Sequence, residues 1–477
     1  MKKYIYSIAL AASLSGCSFL NPTEVTNPNV TDEVFVDNPN AAASWLNGMR
    51  RQLALTLNQT VVLGELTSDN YYNNRTQSSK VFDIPQIIST DVDVNTLQAT
   101  VQKLREMGYF GIETVAPKDA ATTDDMLAEM YFLRGIASMF CGEYFVGLPG
   151  SALSEIMHPE QHLHLAIADF EKAMSLSDDV SQKTACLLAM ARSYYHMGDK
   201  TNAVKYAEDV LVADPMYIKE IGYDGVNGVS NSMQFFLFDS SNDEFAPLPR
   251  LDFLDPKYYS IGNPDQDQKP VALLKAEEAY FILAEAALAD NQLEKAKTQL
   301  KNLLQEVIAQ RPTASIDDSK ETRSGGNRTD YPLTDDYWLK TNPDAPARTG
   351  FILDRQKGNV TIPVVSGTSV TAVEIDAATT VDELLETLYL MRQEVFLAEG
   401  RRVIDLGIKY PVSDIEYRNN SNVQAEHIRA QIPDFIPGNR ELDDFTNDVE
   451  NKQITLTIDM NKVLVENKTN PAVVPFF

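Results

Sequence analysis

The stretch 126–147, MLAEMYFLRGIASMFCGEYFVG, constrains the fold of this chain more than any other segment. Its apolar residues recur at three- and four-residue steps, so they cover two adjoining faces of a helix. One face carries Met126, Met130, Leu133, Ala137 and Phe140, and the other carries Ala128, Phe132, Ile136 and Met139. A helix that is apolar over so much of its surface has to be covered on several sides. We therefore predict a central helix over 126–147, ended by Gly147 and Pro149, with other helices packed around it.

Further helical periodicity extends along most of the chain. The predicted helices span 41–58, 95–107, 159–175, 183–198, 200–213, 271–309 and 381–400. Trp45 lies on the apolar face of the first of these, which makes it a core residue rather than a ligand platform. The segment 184–215 has the length and small-residue pattern of a tetratricopeptide-like repeat, roughly 34 residues, and 271–309 repeats that pattern. The predicted fold class is mostly α, with tetratricopeptide-like helical pairs forming one scaffold.

Several segments break this helical rhythm. The polar stretch 64–80 is predicted to be a loop, and two insertions at about 214–270 and 311–380 are predicted to be long irregular loops with a few short β-strands. Gly400 is predicted to occupy the C′ position of the last long helix. The C-terminal run QITLTIDMNKVLVEN is predicted to be a short strand or hairpin.

The first residues have the pattern of a processing signal. Lys2 and Lys3 precede a short apolar run that is too short to span a bilayer, and Leu14-Ser15-Gly16-Cys17 follows. That order is typical of a bacterial lipobox, in which the cysteine thiol is diacylated, the chain is cut before the cysteine, and the new amino group is acylated as well. We predict a signal peptide over 1–16, a lipidated tether over 17–40 that begins at Cys17, and one helical domain over 41–477. An ordinary signal peptide with a chance cysteine is the alternative.

Charge and cysteine content narrow the range of partners. The formal net charge of −27 disfavours nucleic acid, because phosphate binding needs patches of Lys and Arg. Cys141 and Cys186 both fall within apolar helical patterns, so we interpret them as buried core residues rather than as a disulfide or metal pair. No cofactor is predicted.

Signals for catalysis or metal binding are poor in this sequence. HExxH, GxSxG, P-loop and GxGxxG motifs are all absent. His158 and His162 fall on one helix face and His164 on another, so no metal site is predicted there. Asp91 begins a stretch like a calcium loop, but the glycine and glutamate of an EF-hand are missing. Asp265 and Asp267 remain a weak calcium candidate, and a pair of glycosidase carboxylates remains open.

Two clusters of aromatic, amide and charged residues are the candidate ligand-binding groups. Aromatic rings stack on the apolar faces of sugars, while amides, carboxylates and guanidinium groups bond the hydroxyls. The first cluster is Tyr71, Tyr72, Asn73, Asn74 and Arg75, and the second is Tyr331, Asp335, Asp336, Tyr337 and Trp338. Tyr71, Tyr72 and Trp338 are predicted to contact ligand most directly. The alternative is that these aromatics fasten loops to the core.

Several stretches, in order along nearly the whole chain, resemble the SusD/RagB family of outer-membrane nutrient-binding lipoproteins. After the lipobox, FLNP (19–22) is similar to the family's opening residues. AEMYFLRG (128–135) with YFVGLP (144–149) resembles its AEARFLRA…FGxVP segment. LKAE (274–277) with AEA (284–286) resembles its LRxAExYLxxAEA helix. RQE (392–394) with EGRR (399–402) and DL (405–406) resembles its RxxELxxEGxRxxDL motif.

The resemblance implies a binding protein rather than an enzyme. It implies a lipoprotein on the outer membrane, facing the cell exterior, that closes over a TonB-dependent SusC/RagA-like transporter and captures oligosaccharides. It also implies that Glu394, Glu399, Arg402 and Asp405 form a structural polar network.

Other functions stay open at this point. The alternatives are a peptide-binding lid of a RagA-like transporter, a surface glycosidase or peptidase, and a scaffold that only holds partners.

Overall fold

A computed structural model describes residues 38–74, 81–239, 245–260, 262–317, 319, 328–355, 357–438 and 440–477. The helices are α1 (Ala41–Leu66), α2 (Val92–Phe110), α3 (Asp124–Tyr144), α4 (Pro159–Leu176), α5 (Val180–His196), α6 (Lys200–Ala213), α7 (Ser232–Gln234), α8 (Glu277–Ala289), α9 (Leu293–Asn302), α10 (Ala372–Ala377), α11 (Val381–Val395), α12 (Arg402–Asp405), α13 (Asp414–Asn419) and α14 (Met460–Glu466). The predicted mostly α fold class is confirmed.

Short strands connect the helical parts. They are β1 (Tyr71–Asn73), β2 (Leu148–Pro149), β3 (Ile156–Met157), β4 (Ile218–Ile221), β5 (Phe245–Pro247), β6 (Val271–Lys275), β7 (Thr313–Asp317), β8 (Trp338–Lys340), β9 (Asn359–Pro363), β10 (Phe445–Asp448) and β11 (Gln453–Leu456). Antiparallel pairs form between β1 and β5, β2 and β3, β4 and β6, and β7 and β9. β11 pairs with β10 in a hairpin and with β8 in parallel. Both predicted insertions therefore contain strands.

The central helix exists as predicted, with slightly different ends. It begins at Asp124, after Thr123 accepts a hydrogen bond from the Met126 amide, and it ends at Tyr144 because Phe145 is already extended. Two glycines let α4 approach its surface closely. A Cβ at Gly135 would lie 2.6 Å from the Phe170 ring, and one at Gly142 would lie 2.7 Å from Leu163. Packing of α4 on α3 thus depends on the absence of side chains at these two positions.

The α5–α6 pair forms the predicted tetratricopeptide-like unit, and α8 and α9 form a second pair. The turn between α5 and α6 uses Gly198 in the left-handed conformation, with φ of 72°, which glycine adopts without strain. Ala189 and Ala203 are fully buried, which is consistent with close helix contact. Cys141 and Cys186 are buried and unpaired by disulfide, as predicted. Trp45 donates its indole N–H to the Met107 carbonyl at 2.8 Å and packs on Phe110, so its predicted core role is confirmed.

A buried network of ion pairs and hydrogen bonds, called the polar seam below, joins the end of α1 and the residues after it to the segment that follows α11. Arg402 donates to both carboxylate oxygens of Asp69, at 2.6 and 2.9 Å. Arg392 pairs with Asp405, and Glu399 accepts from Lys275 at 2.7 Å. These contacts confirm the predicted structural network, in which every charge has a partner.

Glu394 and Glu65 extend the seam to other elements. Glu394 accepts from Thr368 and from the amide of Ser369, which ties α11 to the second insertion. Glu65 accepts the Gly400 amide at 2.7 Å, and burial raises the pKa of Glu65 to about 7. A Cβ at Gly64 would lie 2.8 Å from the Gly400 carbonyl oxygen. Backbone therefore meets backbone where α1 contacts the segment after α11.

Three local predictions are wrong. Residues 64–74 are not a surface loop, since α1 continues to Leu66 and the following residues are buried. Helix α11 ends at Val395 rather than near 400, because Ala398 and Gly400 both have positive φ, so Gly400 is not its C′ residue. The tail forms a hairpin only through Leu456. Its last part is helix α14, which begins after Asp459.

Replacing Arg134 by alanine is expected to lower the melting temperature. The Arg134 guanidinium binds both oxygens of Asp169, at 2.9 and 2.6 Å, and lies over the Tyr109 ring at 4.4 Å. The substitution leaves a largely buried carboxylate without its partner, at a cost of about 1–3 kcal/mol. Thermal unfolding followed by circular dichroism measures the shift.

The control for this test is Arg50→Ala, which removes an exposed ion pair with Glu129 on the same central helix. Exposed pairs contribute roughly 0–1 kcal/mol, so this variant should melt like the parent. Unchanged stability of the Arg134 variant together with lost ligand binding would contradict its structural role.

Candidate ligand-binding surface

The first predicted cluster lies at the end of β1 and is mostly buried. Tyr71 is 0% exposed and Tyr72 is 2% exposed, and both pair with β5, opposite Pro247 and Ala246. Their predicted position in a polar loop is wrong. Glu65 and the polar residues that follow up to Asn70 are buried, where they form hydrogen bonds with other buried groups. In a sequence, the same run of polar residues is typical of a surface loop. Contact of Tyr71 and Tyr72 with a ligand stays a prediction, and their burial leaves little of either ring accessible to a ligand.

Tyr72, Asn73 and Asn74 nevertheless reach a common surface depression. Its volume is about 320 Å³, and its other lining residues are Arg328, Thr329, Asp330 and Glu441. The Asn74 side-chain oxygen accepts the amide of Arg328 at 3.0 Å. The structure therefore brings three predicted residues to one polar concavity. The predicted residues Arg75 and Cys17 lie outside the described part of the chain.

Arg328 organises this depression, and the sequence analysis missed it. Its guanidinium lies 3.4 Å above the Phe445 ring and 5.7 Å from the Tyr72 ring centre. It donates to Asp444 at 2.9 Å and to Asp330 at 3.1 Å. Arg328 thus links the β1 end to the β10 hairpin. The only sequence signal was an arginine three residues before Tyr331, which is too common a pattern to single out.

The second predicted cluster meets the first through Tyr331. The Tyr72 and Tyr331 ring centres are 6.3 Å apart, and Tyr331 also contacts Phe445 at 5.9 Å. The Tyr331 hydroxyl donates to the buried carboxylate of Asp252 at 3.1 Å. Asp252 also accepts from the amide of Leu353 and from Arg355. The two insertions are therefore fastened to one another at Asp252.

Tyr337, just before β8, and Trp338, its first residue, differ sharply in exposure. Tyr337 is buried, with the Lys452 ammonium 4.7 Å from its ring centre. Trp338 is 49% exposed, and Asp335 and Asp336 beside it are exposed as well. Among the predicted site residues that the structure describes, Trp338 is the one that presents a large aromatic face to solvent. Tyr337 instead acts in packing, which was the alternative interpretation of these aromatics.

The candidate metal residues have other partners. The His162 ring nitrogen Nε2 lies 3.0 Å from the Leu148 carbonyl oxygen, and burial lowers the pKa of His162 to about 4. His164 is exposed beside Glu160. Asp267 binds Lys269 at 2.7 Å and Ser260 at 3.0 Å. Within the described ranges, no group of three or more His, Cys, Asp or Glu residues converges as metal ligands would.

Membrane-spanning helices are also absent from the described part of the chain, where none is both long and apolar enough to cross a bilayer.

Solved structures with this arrangement of helices share one fold. A SusD-like protein from Bacteroides fragilis has a TM-score of 0.52 at 11% identity, with 83% of this chain and 98% of that chain covered. A SusD superfamily protein from Parabacteroides distasonis has a TM-score of 0.52 at 10% identity, with 81% and 98% covered. This chain has the SusD-like fold. The resemblance inferred from the sequence motifs is thereby confirmed for the fold.

Another SusD-like structure, a carbohydrate-binding protein from Bacteroides fragilis, covers more of the chain. Its TM-score is 0.51 at 12% identity, with 90% of this chain and 99% of that chain covered. A tetratricopeptide-repeat model matches residues 185–215, which cover most of the α5–α6 pair. None of the curated proteins matches the sequence.

Proposed function

We propose that this chain is a cell-surface nutrient-binding lipoprotein that captures oligosaccharides and delivers them to a TonB-dependent, SusC-like outer-membrane transporter. The observation that carries the proposal is the SusD-like fold, which extends over 81–90% of the chain in the comparisons above. One protein with that fold is described as carbohydrate binding. The motif order along the sequence supports the same conclusion.

The chemistry of the described surface is consistent with a sugar ligand. Trp338 offers an exposed indole face beside Asp335 and Asp336, and sugars stack an apolar face on such rings while their hydroxyls bond nearby carboxylates. The depression at Arg328 adds amide, carboxylate and guanidinium groups. The proposed role is binding without catalysis, as the resemblance to the SusD/RagB family implies.

Attachment to the outer membrane, facing the cell exterior, is part of the proposal. It relies on the lipobox that ends at Cys17 and on the tether over 17–40. Several acyl chains hold a protein on a bilayer stably, whereas one does not. Such an anchor would keep the binding surface close to its transporter.

Calorimetric titration tests the ligand class directly. The purified chain is titrated with malto-, xylo- and manno-oligosaccharides and, separately, with Gly- and Ala-based tripeptides. Saturable binding of an oligosaccharide supports the proposal. Binding of peptides alone would favour the alternative, a peptide-binding lid of a RagA-like transporter. Release of reducing ends during titration would contradict the non-catalytic role.

Truncating Trp338 to alanine is expected to weaken oligosaccharide binding at least about tenfold, because an aromatic anchor at an interface typically contributes about 1–2 kcal/mol or more. Tyr417, on α13, is also exposed, so Tyr417→Ala is the matched control and should bind like the parent. Affinities come from the same titration, with circular dichroism to verify folding. If Trp338→Ala binds the oligosaccharide as tightly as Tyr417→Ala does, the ligand binds away from Trp338.

A further inference from the structure

Arg250 differs from the other buried arginines of the described chain. It is 4% exposed, yet its guanidinium donates no hydrogen bond to any described residue, and its Nε is buried without a partner. The nearest carboxylate oxygen, Asp459 Oδ1, is 3.9 Å from Nη1, which is beyond hydrogen-bonding distance. The other buried arginines each donate to a carboxylate: Arg105, Arg192, Arg311, Arg355, Arg392, Arg401 and Arg402.

The guanidinium of Arg250 lines a surface depression of about 350 Å³, within the volume range of small-molecule pockets. A second buried polar atom there is also unused. Asn461 donates its amide to Gln393 at 2.9 Å, but its side-chain oxygen has no partner among the described residues. Arg250 and Asn461, which both line the depression, thus each keep a polar atom without a partner. Buried polar groups are normally hydrogen-bonded, so a concave surface lined by two such side chains is a candidate ligand site.

What Arg250 lacks is a hydrogen-bond acceptor rather than a negative charge. Burial raises the pKa of Glu386 and of Glu394, and the positive charge of Arg250 opposes both shifts. The depression is lined by more carboxylates than guanidinium groups: Glu374, Glu383, Glu386 and Asp459 against Arg250 and Arg348. An anionic ligand would be repelled by this surplus. The missing acceptor is therefore a neutral oxygen.

The distance between the Arg250 guanidinium and the Asp459 carboxylate further restricts which chemical group of a ligand can bind between them. An atom that bridges 3.9 Å at normal distances has to accept from the guanidinium and donate to the carboxylate. A hydroxyl does both, whereas an amide N–H only donates and a carbonyl oxygen only accepts. Phe351 and Leu390 supply apolar walls beside these polar groups. Polar groups of both kinds next to an apolar wall match the surface of a sugar ring.

We propose that this depression is a glycan subsite that binds a neutral glycosyl residue, with one sugar hydroxyl between Arg250 and Asp459. The proposal rests on the proposed function, since it assigns part of the oligosaccharide contact to residues distant in sequence from Trp338. Glu386, which also lines the depression, can accept hydrogen bonds from further hydroxyls.

The test compares Arg250→Met, Glu386→Gln and the control Arg418→Met, whose arginine is exposed on α13. Each purified chain is titrated with the neutral oligosaccharide that binds the parent, with an oligogalacturonide and with a tripeptide. Arg250→Met is expected to bind the neutral oligosaccharide at least about tenfold more weakly, because hydrogen bonds to charged groups are the stronger ones. Glu386→Gln should weaken it less, and Arg418→Met should not change it.

Stability provides the second measurement. Arg250→Met removes a positive charge beside the largely buried carboxylates of Asp459 and Glu394, so its melting temperature should fall. The titrations are therefore run at a temperature at which circular dichroism shows every variant to be folded. Parent-like affinity of Arg250→Met would mean that only water occupies the gap, although glycan capture itself would stand. Tighter binding of the oligogalacturonide than of the neutral oligosaccharide would overturn the assignment of a neutral ligand. If the parent chain binds only the tripeptide, the proposed function is overturned as well.

Discussion

Replacing Asp69 by alanine is expected to lower the free energy of unfolding by about 3–5 kcal/mol, the cost of breaking a buried ion pair from one side. Asp69 binds Arg402 through two hydrogen bonds and also accepts from Gln393 at 2.9 Å. Burial opposes the charge of Arg402, but the carboxylates of Asp69, Asp405 and Asp459 together more than offset it, with Asp69 contributing most, so the pKa of Arg402 is raised. Without Asp69 this charge stays buried and loses its closest partner.

Chemical denaturation of Asp69→Ala against Asp434→Ala checks the prediction, since Asp434 is exposed and should be replaceable at little cost. The double variant Asp69→Leu/Arg402→Met is a further control. Replacing both members of a buried pair by apolar residues is often close to neutral, so the double variant should recover much of the loss. If Asp69→Ala unfolds at the same denaturant concentration as Asp434→Ala, the seam does not stabilise the fold as described.

Replacing Cys17 by alanine is expected to abolish membrane attachment. Under the proposed lipidation, the substitution removes the thiol that would carry the diacyl group, and with it the lipid on the new amino terminus, so no acyl chain would hold the chain on a bilayer. The protein should lose palmitate labelling and leave the outer-membrane fraction. Fractionation and metabolic labelling measure both.

Cys141→Ala is the matched control, because Cys141 is buried within α3 and should have no part in anchoring. That variant should keep its label and its membrane location. Continued labelling and membrane association of Cys17→Ala would show that the lipobox interpretation is wrong.

Helices were predictable where one local pattern determined them. The stripe of α3 and the small residues of α5 and α6 give a helical period without reference to the rest of the chain. The end of α11 was not predictable, because its position depends on Glu399 turning toward Lys275, which lies 124 residues earlier in the sequence. The last strand-like run became helix α14 partly because Asp459 caps it. Aspartate at a helix start and aspartate in a turn have the same appearance in a sequence.

The candidate site was less predictable, and for the same physical reason. Polar residues before Tyr71 indicated a loop, but Glu65, Asp69 and Asn70 bind partners near residues 393–402. Trp338 could be identified because aromatic and acidic residues adjoin it in the sequence. Arg250 could not, because what distinguishes it is a missing hydrogen bond in the folded chain, and residue type alone does not indicate that.

The seam between α1 and Arg402 also determines when the chain can finish folding. Among the described residues, Asp69 finds its side-chain partners more than 300 positions later, in Gln393 and Arg402, whereas Glu65 binds the nearby Asn70 as well as Gly400. At a synthesis rate of about 5–20 residues per second, Arg402 follows Asp69 by roughly 20–70 seconds. During that time Asp69, which follows the end of α1, lacks its ion-pair partner, so this end of the helix gains little by packing early. The newly made chain should therefore stay loosely structured at this end until its C-terminal quarter emerges, and the proposed signal peptide over 1–16 would export the chain most easily in such a state.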